Sequence, residues 1–384
     1  MDSLDILERL VGFPTVSLQP NRGLMRFVSE YLASFGIGSR LVSTVPDERT
    51  NLFATIGPPG RTGVMLSGHT DVVPADQEGW TVDPFRLTRN GGLFFGRGTA
   101  DMKGFVACAL AAAGRAAGRR LASPLHLALS YDEEIGCIGV RDLIPAIAST
   151  ACRPAFCIVG EPTSMAVATG HKGKTAYRAV ARGIAGHSAL APLAVNAIHL
   201  GTELVSVLRR KQRGLAEAGR RDDGYSVPCT TLHVGKIAGG TQLNIVPDRC
   251  TIDFEIRNLP GDDPDGIIRE LDNAVRERIA PVCGAHAGCG VSYTTEFGYP
   301  GLETPANSDI VRFVRALAET GGLTRVDFGT EGGLFSEQLN VPTVVCGPGS
   351  MEQGHKPDEY IARDQVRRCD RMMDSLLDVL ESGL

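Results

Sequence analysis

Three short apolar runs in the first half of the chain each lead into a polar residue of a type that binds metal ions. They are 64–66 before His69, 125–129 before Glu133 and Glu134, and 156–159 before Glu161. Helical patterns lie between them, after Lys103 and over 140–147. The order strand, helix, strand, helix, strand favours an α/β fold with a mostly parallel central sheet covered by helices on both faces. Ligands bind beyond the carboxyl ends of such strands, which is where these polar residues fall.

The alternation of apolar strands and helices ends near residue 177 and resumes near residue 292. Between them lie alternating or strand-like stretches and a helical stretch, at 177–182, 194–210, 230–234 and 251–256. This pattern is typical of a small antiparallel sheet with helices on one face. We therefore predict a catalytic domain in two parts, 1–176 and 293–384, and an inserted α+β domain over 177–292. A length of 384 residues suits two domains.

Bulk composition narrows the classes of partner. A formal net charge of -5 disfavours nucleic acid and anionic membrane surfaces, because binding to both depends on positive charge. No apolar run approaches the ~20 residues of a membrane span. The ten cysteines include no C-x-x-C pair, and no basic, apolar leader follows Met1. We expect reduced thiols, a cytoplasmic location, and partners that are small molecules or other protein chains.

A glycine-punctuated loop, residues 96–104, places the carboxylate of Asp101 at the start of an alanine-rich helix. Gly96 and Gly98 half-match the dinucleotide fingerprint, but the third glycine position is Asp101, whose charge would repel a pyrophosphate. Asp101 is instead a candidate for a shared ligand of two metal ions. A helix N-cap is the alternative explanation for Asp101.

Charge counting supports a site for two divalent cations. Their four positive charges would be met by three carboxylates and a bridging hydroxide, while neutral histidines need no compensation. The predicted metal ligands are His69, Asp101, Glu134, Glu161 and His355. Nitrogen and oxygen donors without cysteine suit Zn²⁺, with Co²⁺ or Mn²⁺ as substitutes. The alternative is that the adjacent acids are solvated loop charges.

Two further carboxylates have predicted roles beside these ligands. If Glu134 binds metal, its neighbour Glu133 points elsewhere and can act as the general base and acid. A buried acid neutralised by a nearby base is the alternative for Glu133. Asp71 lies two residues after His69 and is a candidate to orient its ring. Asp358 is a weaker candidate for the same task at His355. No G-x-S-x-G elbow supports a serine hydrolase.

These motifs, together with Gly186-His187-Ser188, resemble the zinc-dependent aminoacylase, peptidase and deacetylase family along nearly the whole chain. The resemblance implies the same five ligands, Asp71 as orienter and Glu133 as acid and base. It also implies that the inserted domain is a lid and dimerisation domain in a homodimer. His187 is implied to reach the partner subunit's site and to hydrogen-bond the developing oxyanion. A histidine in a turn after a strand is the alternative.

The resemblance also implies which residues recognise the substrate. It places Asn244 and Arg257 on the substrate carboxylate, although a strand-face salt bridge would also explain Arg257. The stretch 329–333 carries Thr330 and Glu331, and Glu331 suits a cationic side chain such as ornithine's, with a solvated loop as its alternative. We expect hydrolysis of an N-acyl amino acid, in first place the N2-acetyl derivative of ornithine. N-succinyl-diaminopimelate, other N-acyl amino acids or dipeptides are the near alternatives, and a metal-stabilised binding protein without turnover is a more distant one.

Overall fold

The structure is a computed structural model that describes residues 1–43, 49–76, 78–150, 154–284 and 286–384. It divides into two compact units. The first unit comprises Met1–His171 and Leu302–Leu384, and the second comprises Lys172–Gly301. The second unit therefore extends a few residues beyond the predicted insert, 177–292, at each end.

The helices within the described residues are α1 (Ser3–Val11), α2 (Arg22–Ala33), α3 (Gly104–Ala116), α4 (Val140–Ala148), α5 (Ala197–Ala218), α6 (Pro264–Cys283), α7 (Asp309–Leu317), α8 (Gly332–Leu339) and α9 (Arg363–Ser382). The strands are β1 (Ser39–Val42), β2 (Asn51–Ile56), β3 (Gly63–His69), β4 (Thr88–Asn90), β5 (Leu93–Phe95), β6 (Leu125–Ser130), β7 (Pro154–Val159), β8 (Val167–His171), β9 (Gly173–Arg182), β10 (Gly186–His187), β11 (Thr231–Gly239), β12 (Ile245–Val246), β13 (Arg249–Asn258), β14 (Gly290–Tyr299), β15 (Leu302–Glu303), β16 (Leu323–Val326), β17 (Thr343–Val345) and β18 (Tyr360–Ala362).

The main sheet of the first unit has the strand order β1-β2-β6-β3-β7-β17-β8-β15, with β16 beside β8. At its centre, β6, β3, β7 and β17 run parallel. Towards the edges, the pairs β1–β2, β2–β6 and β8–β15 are antiparallel. Every residue of β3 and β6 is buried, so both faces of the sheet are covered there. The prediction of a mostly parallel central sheet in an α/β fold is confirmed.

Helix α3 lies in the core of the first unit and packs against α1, α2 and α9. Its alanines are buried from Ala107 to Ala113, because small side chains allow close approach of the surrounding helices. Asp2 is the N-cap of helix α1, and its carboxylate accepts hydrogen bonds from the Leu4 and Asp5 amides. Helices α4 and α8 pack against each other and against strands of the main sheet.

The second unit is built on a four-stranded antiparallel sheet with the order β11-β13-β9-β14. Strand β13 alternates, with Ile252, Phe254 and Ile256 buried against the core that also contains residues of α5 and α6. The intervening positions of β13 carry Asp253 and Glu255, which are half-buried. This alternation is expected for an antiparallel sheet that is covered on one face.

The expectation of reduced cysteines is wrong at one pair, because Cys283 and Cys289 form a disulfide. The chain turns back after α6 to begin β14, and this turn brings the two Cα atoms to 5.5 Å. In the part of the chain that the structure describes, no helix combines the length and the apolar character needed to cross a membrane.

Candidate metal centre

The carboxyl ends of three central strands bring the predicted site residues together in the first unit. Strand β3 lies between β6 and β7 in parallel register and ends at His69. Glu133 and Glu134 follow the end of β6, and Glu161 follows β7. Because parallel strands end at the same edge of a sheet, residues that are distant in sequence meet there.

Asp101 enters the site from a helical turn, Thr99–Lys103, that leads into α3. The peptide bond between Asp101 and Met102 is cis. Gly98 precedes this turn with a φ of +85°, and a Cβ there would lie 2.7 Å from Val72 Cγ1. The loop therefore requires glycine at this position for both its backbone conformation and its packing.

The carboxylate of Asp101 lies between two histidines. Its Oδ1 is 3.0 Å from His69 Nε2, and its Oδ2 is 3.1 Å from His355 Nε2. Glu161 Oε1 lies 3.7 Å from His69 Nε2, and Glu134 Oε2 lies 3.0 Å from His355 Nε2. By these contacts the five predicted ligands gather around Asp101 as two half-sites, one with His69 and Glu161 and the other with His355 and Glu134. The two are not fully separate, because one oxygen of Glu134 also lies within 4.8 Å of ligand atoms of His69 and Asp101.

Burial of so many acidic groups in one place perturbs their pKa values. Desolvation raises the pKa of Glu161 well above its ordinary value, with Asp101 nearby adding to the effect. Desolvation and the charge of Asp101 raise the pKa of Glu134 to about 7. Burial also opposes ionisation of Asp101, but hydrogen bonds from His355 and His69 outweigh it and lower the pKa of Asp101.

Neighbouring carboxylates raise the pKa values of the two histidines. Hydrogen bonds to Asp101 and Glu134 raise the pKa of His355 to about 10. Burial opposes protonation of His69, but Glu161 and Asp101 outweigh it and raise its pKa well above the ordinary value. A divalent cation would take the place of protons on these groups, since carboxylate oxygens and imidazole nitrogens are donors that bind Zn²⁺ and related divalent ions. The residues present therefore fit divalent cations.

His69 contacts Asp71, the residue predicted to orient its ring, mainly through the backbone of Asp71. His69 Nδ1–H donates to the backbone oxygen of Asp71 at 2.9 Å, while the nearer carboxylate oxygen of Asp71 is 3.5 Å away. This bond leaves Nε2 to face Asp101.

The carboxylate of Asp71 mainly holds the turn after β6. Its Oδ1 accepts from the Glu133 amide at 3.1 Å, and its Oδ2 lies 3.4 Å from the Glu134 amide. Ser17 Oγ donates to the same Oδ2 at 2.7 Å. Asp71 therefore connects the backbone that carries the two adjacent acids to the strand that carries His69.

Glu133 and Glu134 point in different directions, as neighbouring side chains do. Glu134 faces His355, whereas Glu133 Oε1 accepts a weak hydrogen bond from the Cys137 thiol at 3.4 Å. Desolvation raises the pKa of Glu133 well above its ordinary value. Glu133 also has a carboxylate oxygen within 4.8 Å of ligand atoms of His69 and Glu161. Distance alone therefore allows Glu133 to be a ligand or a base, and its role as acid and base stays a prediction.

Thr330 and Glu331 lie in the interior of the first unit. Glu331 is 1% exposed and accepts a hydrogen bond from Ser67 Oγ at 3.3 Å, so the alternative of a solvated loop is wrong. Burial raises the pKa of Glu331 to about 7. Thr330 Oγ1 accepts from the Gly332 amide at 2.9 Å. Their proposed contact with substrate stays a prediction.

The remaining predicted residues belong to the second unit. Strands β10 and β12 pair His187 with Ile245, and the Ser188 amide donates to the Asn244 carbonyl at 3.0 Å. His187 and Asn244 are therefore neighbours. Arg257 donates to Glu255 at 3.0 Å and to the Tyr299 hydroxyl at 3.1 Å. This is the strand-face salt bridge considered as the alternative, and the substrate roles of all three residues stay predictions.

Several contacts of the site were not found from the sequence. The contact of Ser17 with Asp71 was not predicted, because the two residues are remote in sequence. The contact of Cys137 with Glu133 was not predicted either, although a separation of four residues is weak evidence that two side chains are close. Asp358 accepts hydrogen bonds from the Thr81 amide at 2.8 Å and its hydroxyl at 2.7 Å. It therefore anchors the Thr81 loop, in place of the orienting role considered for it at His355.

Comparison with known proteins gives a consistent assignment. Residues 65–379 match peptidase family M20/M25/M40. The chain is 33% identical over 387 residues to the acetylornithine deacetylase of Vibrio vulnificus, covering 99% of this chain and 97% of the relative. An M20 family metallo-carboxypeptidase from Sulfolobus solfataricus has a similar fold, with a TM-score of 0.78, 18% identity and coverage of 100% of both chains. A dinuclear metal binding peptidase of the M20 family from Bacillus subtilis also has a similar fold. Its TM-score is 0.70 and its sequence identity is 14%, with coverage of 100% of this chain and 98% of that one.

The family match and the near full-length relative show that the chain is a metal-dependent hydrolase, so the alternative of a binding protein without turnover is wrong. The chain belongs to peptidase family M20/M25/M40. This membership confirms the family resemblance found in the sequence.

Proposed function

We propose that this chain hydrolyses the amide bond of N2-acetyl-L-ornithine, giving L-ornithine and acetate, as a step of arginine synthesis in the cytoplasm. The observation that carries the proposal is the pair of half-sites around Asp101, which suits two cations acting on one amide. The near full-length relative with this name supports the choice of substrate.

The proposed ions are two Zn²⁺, with Co²⁺ or Mn²⁺ as substitutes. His69 and Glu161 would hold one, His355 and Glu134 the other, and Asp101, which contacts both histidines, would be shared between them. Divalent ions held there would polarise the acetyl carbonyl and acidify a water molecule. Asp71 would keep His69 in the tautomer whose Nε2 is available to the ion.

Glu133 is the proposed general base and acid. Its carboxylate is buried, with an oxygen within 4.8 Å of ligand atoms of His69 and Glu161, and this position supports a role in proton transfer. It would take a proton from that water and pass the proton to the departing amine of ornithine. The thiol of Cys137 contacts Oε1 of Glu133 and limits how the carboxylate can turn.

Four residues are proposed to bind the substrate. Arg257 would exchange part of its present pairing with Glu255 for the substrate carboxylate, which its planar fork can bind through two hydrogen bonds. Asn244 would donate to the same carboxylate. Thr330 and Glu331 would serve the cationic end, where a negative charge suits an ammonium group.

The second unit is the proposed lid and dimerisation domain of a homodimer. His187 Nδ1 accepts from the Ala189 amide at 3.1 Å, so Nε2 carries the proton and can donate it in a hydrogen bond to an oxyanion of the partner subunit's site. The apolar side chains of Leu190, Leu193 and Leu243 are exposed in the same part of this unit. Burial of such side chains against a second copy would supply association energy.

The test is amine release from N2-acetyl-L-ornithine, N-succinyl-diaminopimelate and a set of dipeptides, before and after chelation. We expect the highest kcat/KM for N2-acetyl-L-ornithine, loss of turnover on chelation, and recovery on adding Zn²⁺ or Co²⁺. Glu133→Gln should lower kcat by about 10²- to 10⁴-fold with unchanged metal content. A higher kcat/KM for another substrate, or turnover that survives complete chelation, would refute the proposal.

A further inference from the structure

Glu359 holds the backbone from which Asp101 projects. Its side chain is 1% exposed, and its Oε1 accepts from the Ala100 amide at 2.9 Å and from the Asp101 amide at 3.1 Å. Its own backbone oxygen accepts from the Gly96 amide at 2.9 Å. Glu359 therefore binds the loop both at Gly96, where the loop begins, and at the backbone amide of Asp101.

The second oxygen of Glu359 binds a buried arginine. Arg97 is 1% exposed, and its Nη1 donates to Glu359 Oε2 at 2.8 Å. The same guanidinium donates to the Pro74 carbonyl at 3.2 Å and lies 5.1 Å from the centre of the Trp80 ring. The pair thus connects the loop before Asp101 to the segment that contains Pro74 and Trp80.

Glu359 also belongs to the segment that carries a second proposed ligand. His355 lies four residues before it, and His355 Nε2 is 3.1 Å from Asp101 Oδ2. The hydrogen bonds of Glu359 to the Ala100 and Asp101 amides therefore join the two loops whose side chains meet at that contact.

A contribution to fold stability alone does not account for this arrangement. A buried ion pair is weak evidence for stability, because the desolvation of two charges offsets much of their attraction. An ion pair with Arg97 also requires only one oxygen of Glu359, while the other oxygen binds the amide of Asp101 itself. That geometry is the one expected of a group that positions a metal ligand.

We propose that Glu359 is a positioning residue of the metal centre, which holds Asp101 at the spacing from His355 that allows one carboxylate to serve both half-sites. The inference rests on the proposed ligands Asp101 and His355. Loss of partners that orient metal ligands typically lowers metal affinity or activity by about 10- to 100-fold, and that is the effect expected here.

The test is a titration of the metal-free protein with Co²⁺, followed by its visible absorption, for wild type, Glu359→Gln and a control. In the wild type we expect two bound Co²⁺. In Glu359→Gln we expect the affinity for one Co²⁺ to fall about 10- to 100-fold, with a changed absorption spectrum and a lower kcat at a KM within threefold. The matched control is Asp370→Asn, which removes the charge of a partly buried carboxylate whose contacts to Ser3 and Arg115 involve none of the proposed ligands. It should leave Co²⁺ affinity and kcat unchanged.

Glu359→Asp addresses the possibility that the glutamine variant does not fold. It keeps the charge beside Arg97 but shortens the side chain by one methylene, so its oxygens withdraw from the Ala100 and Asp101 amides. We expect it to fold and to bind Co²⁺ more weakly. If either variant binds Co²⁺ with wild-type affinity, or if neither variant folds, the inference is overturned. A wild type that binds a single Co²⁺ would overturn the two-ion proposal as well.

Discussion

Asp71→Asn is the substitution that best distinguishes effects that act through Glu133 from effects that act through His69. The carboxylate has two oxygens and three donors within 3.4 Å, which are the Glu133 amide, the Glu134 amide and Ser17 Oγ. His69 Nδ1 lies slightly farther away, 3.5 Å from Oδ1. Burial opposes ionisation, but hydrogen bonds from His69 and Ser17 and the charge of His69 outweigh it and lower the pKa of Asp71. The group is therefore a carboxylate at neutral pH, and its hydrogen bonds are charge-assisted.

The expected magnitude follows from the positions of the donors. An asparagine can keep its one oxygen towards the Glu133 amide, while its NH₂ group takes the place of Oδ2 and the Ser17 hydroxyl turns to accept. The contact to the Glu134 amide, at 3.4 Å the longest, then becomes repulsive. Losing one charge-assisted hydrogen bond of this kind costs about 1.5–3 kcal/mol, which corresponds to about 10- to 100-fold in rate or affinity.

The assay compares kcat, KM and Zn²⁺ affinity by chelator competition in wild type, Asp71→Asn and Ser17→Ala. Ser17→Ala removes a neutral donor without changing the charge of Asp71, so we expect a loss of about fivefold or less. In a Glu133→Gln background, Asp71→Asn should lower kcat little further if it acts through Glu133, while any effect through His69 should persist in the Zn²⁺ affinity. Asp71→Asn with kcat and Zn²⁺ affinity within twofold of wild type would show the reasoning to be wrong.

Two further predictions concern other buried groups. Burial lowers the pKa of His126 to about 4, so the unfolded chain binds a proton that the folded chain does not. Stability present above pH 6.5 is therefore lost as the pH falls towards 4, by about 2 kcal/mol between pH 7 and 5. His126→Phe should flatten this slope in urea unfolding of the metal-free protein, and an unchanged slope would contradict the assignment. Cys137→Ala should lower kcat by roughly fivefold at constant KM and metal content, because Glu133 loses a donor, whereas Cys137→Ser should not. Equal kcat values for the two variants would argue against this contact.

The sequence was informative about the first unit because its signals are local. Buried parallel strands appear as short apolar runs, and the residue types at their ends suggested where a site would lie. The parallel centre of the sheet is confirmed, and the proposed ligands lie together at the carboxyl ends of its central strands. The sequence did not indicate the antiparallel edge strands, because pairing partners are chosen by the path of the whole chain.

The contacts around the ligands depended on tertiary structure. The backbone oxygen of Asp71 on His69, the thiol of Cys137 on Glu133 and the carboxylate of Glu359 on the Asp101 amide each require a particular loop conformation. The disulfide between Cys283 and Cys289 was also not evident, since cysteine spacing does not specify pairing.

By itself, then, the sequence determined which side chains could bind cations and which strands lead to His69, to Glu133 and Glu134, and to Glu161, since both follow from residue type and local periodicity. The tertiary structure decided which oxygen or nitrogen faces which partner, because a hydrogen bond is made or lost over less than 1 Å. That distance is set by the packing of loops from remote parts of the chain.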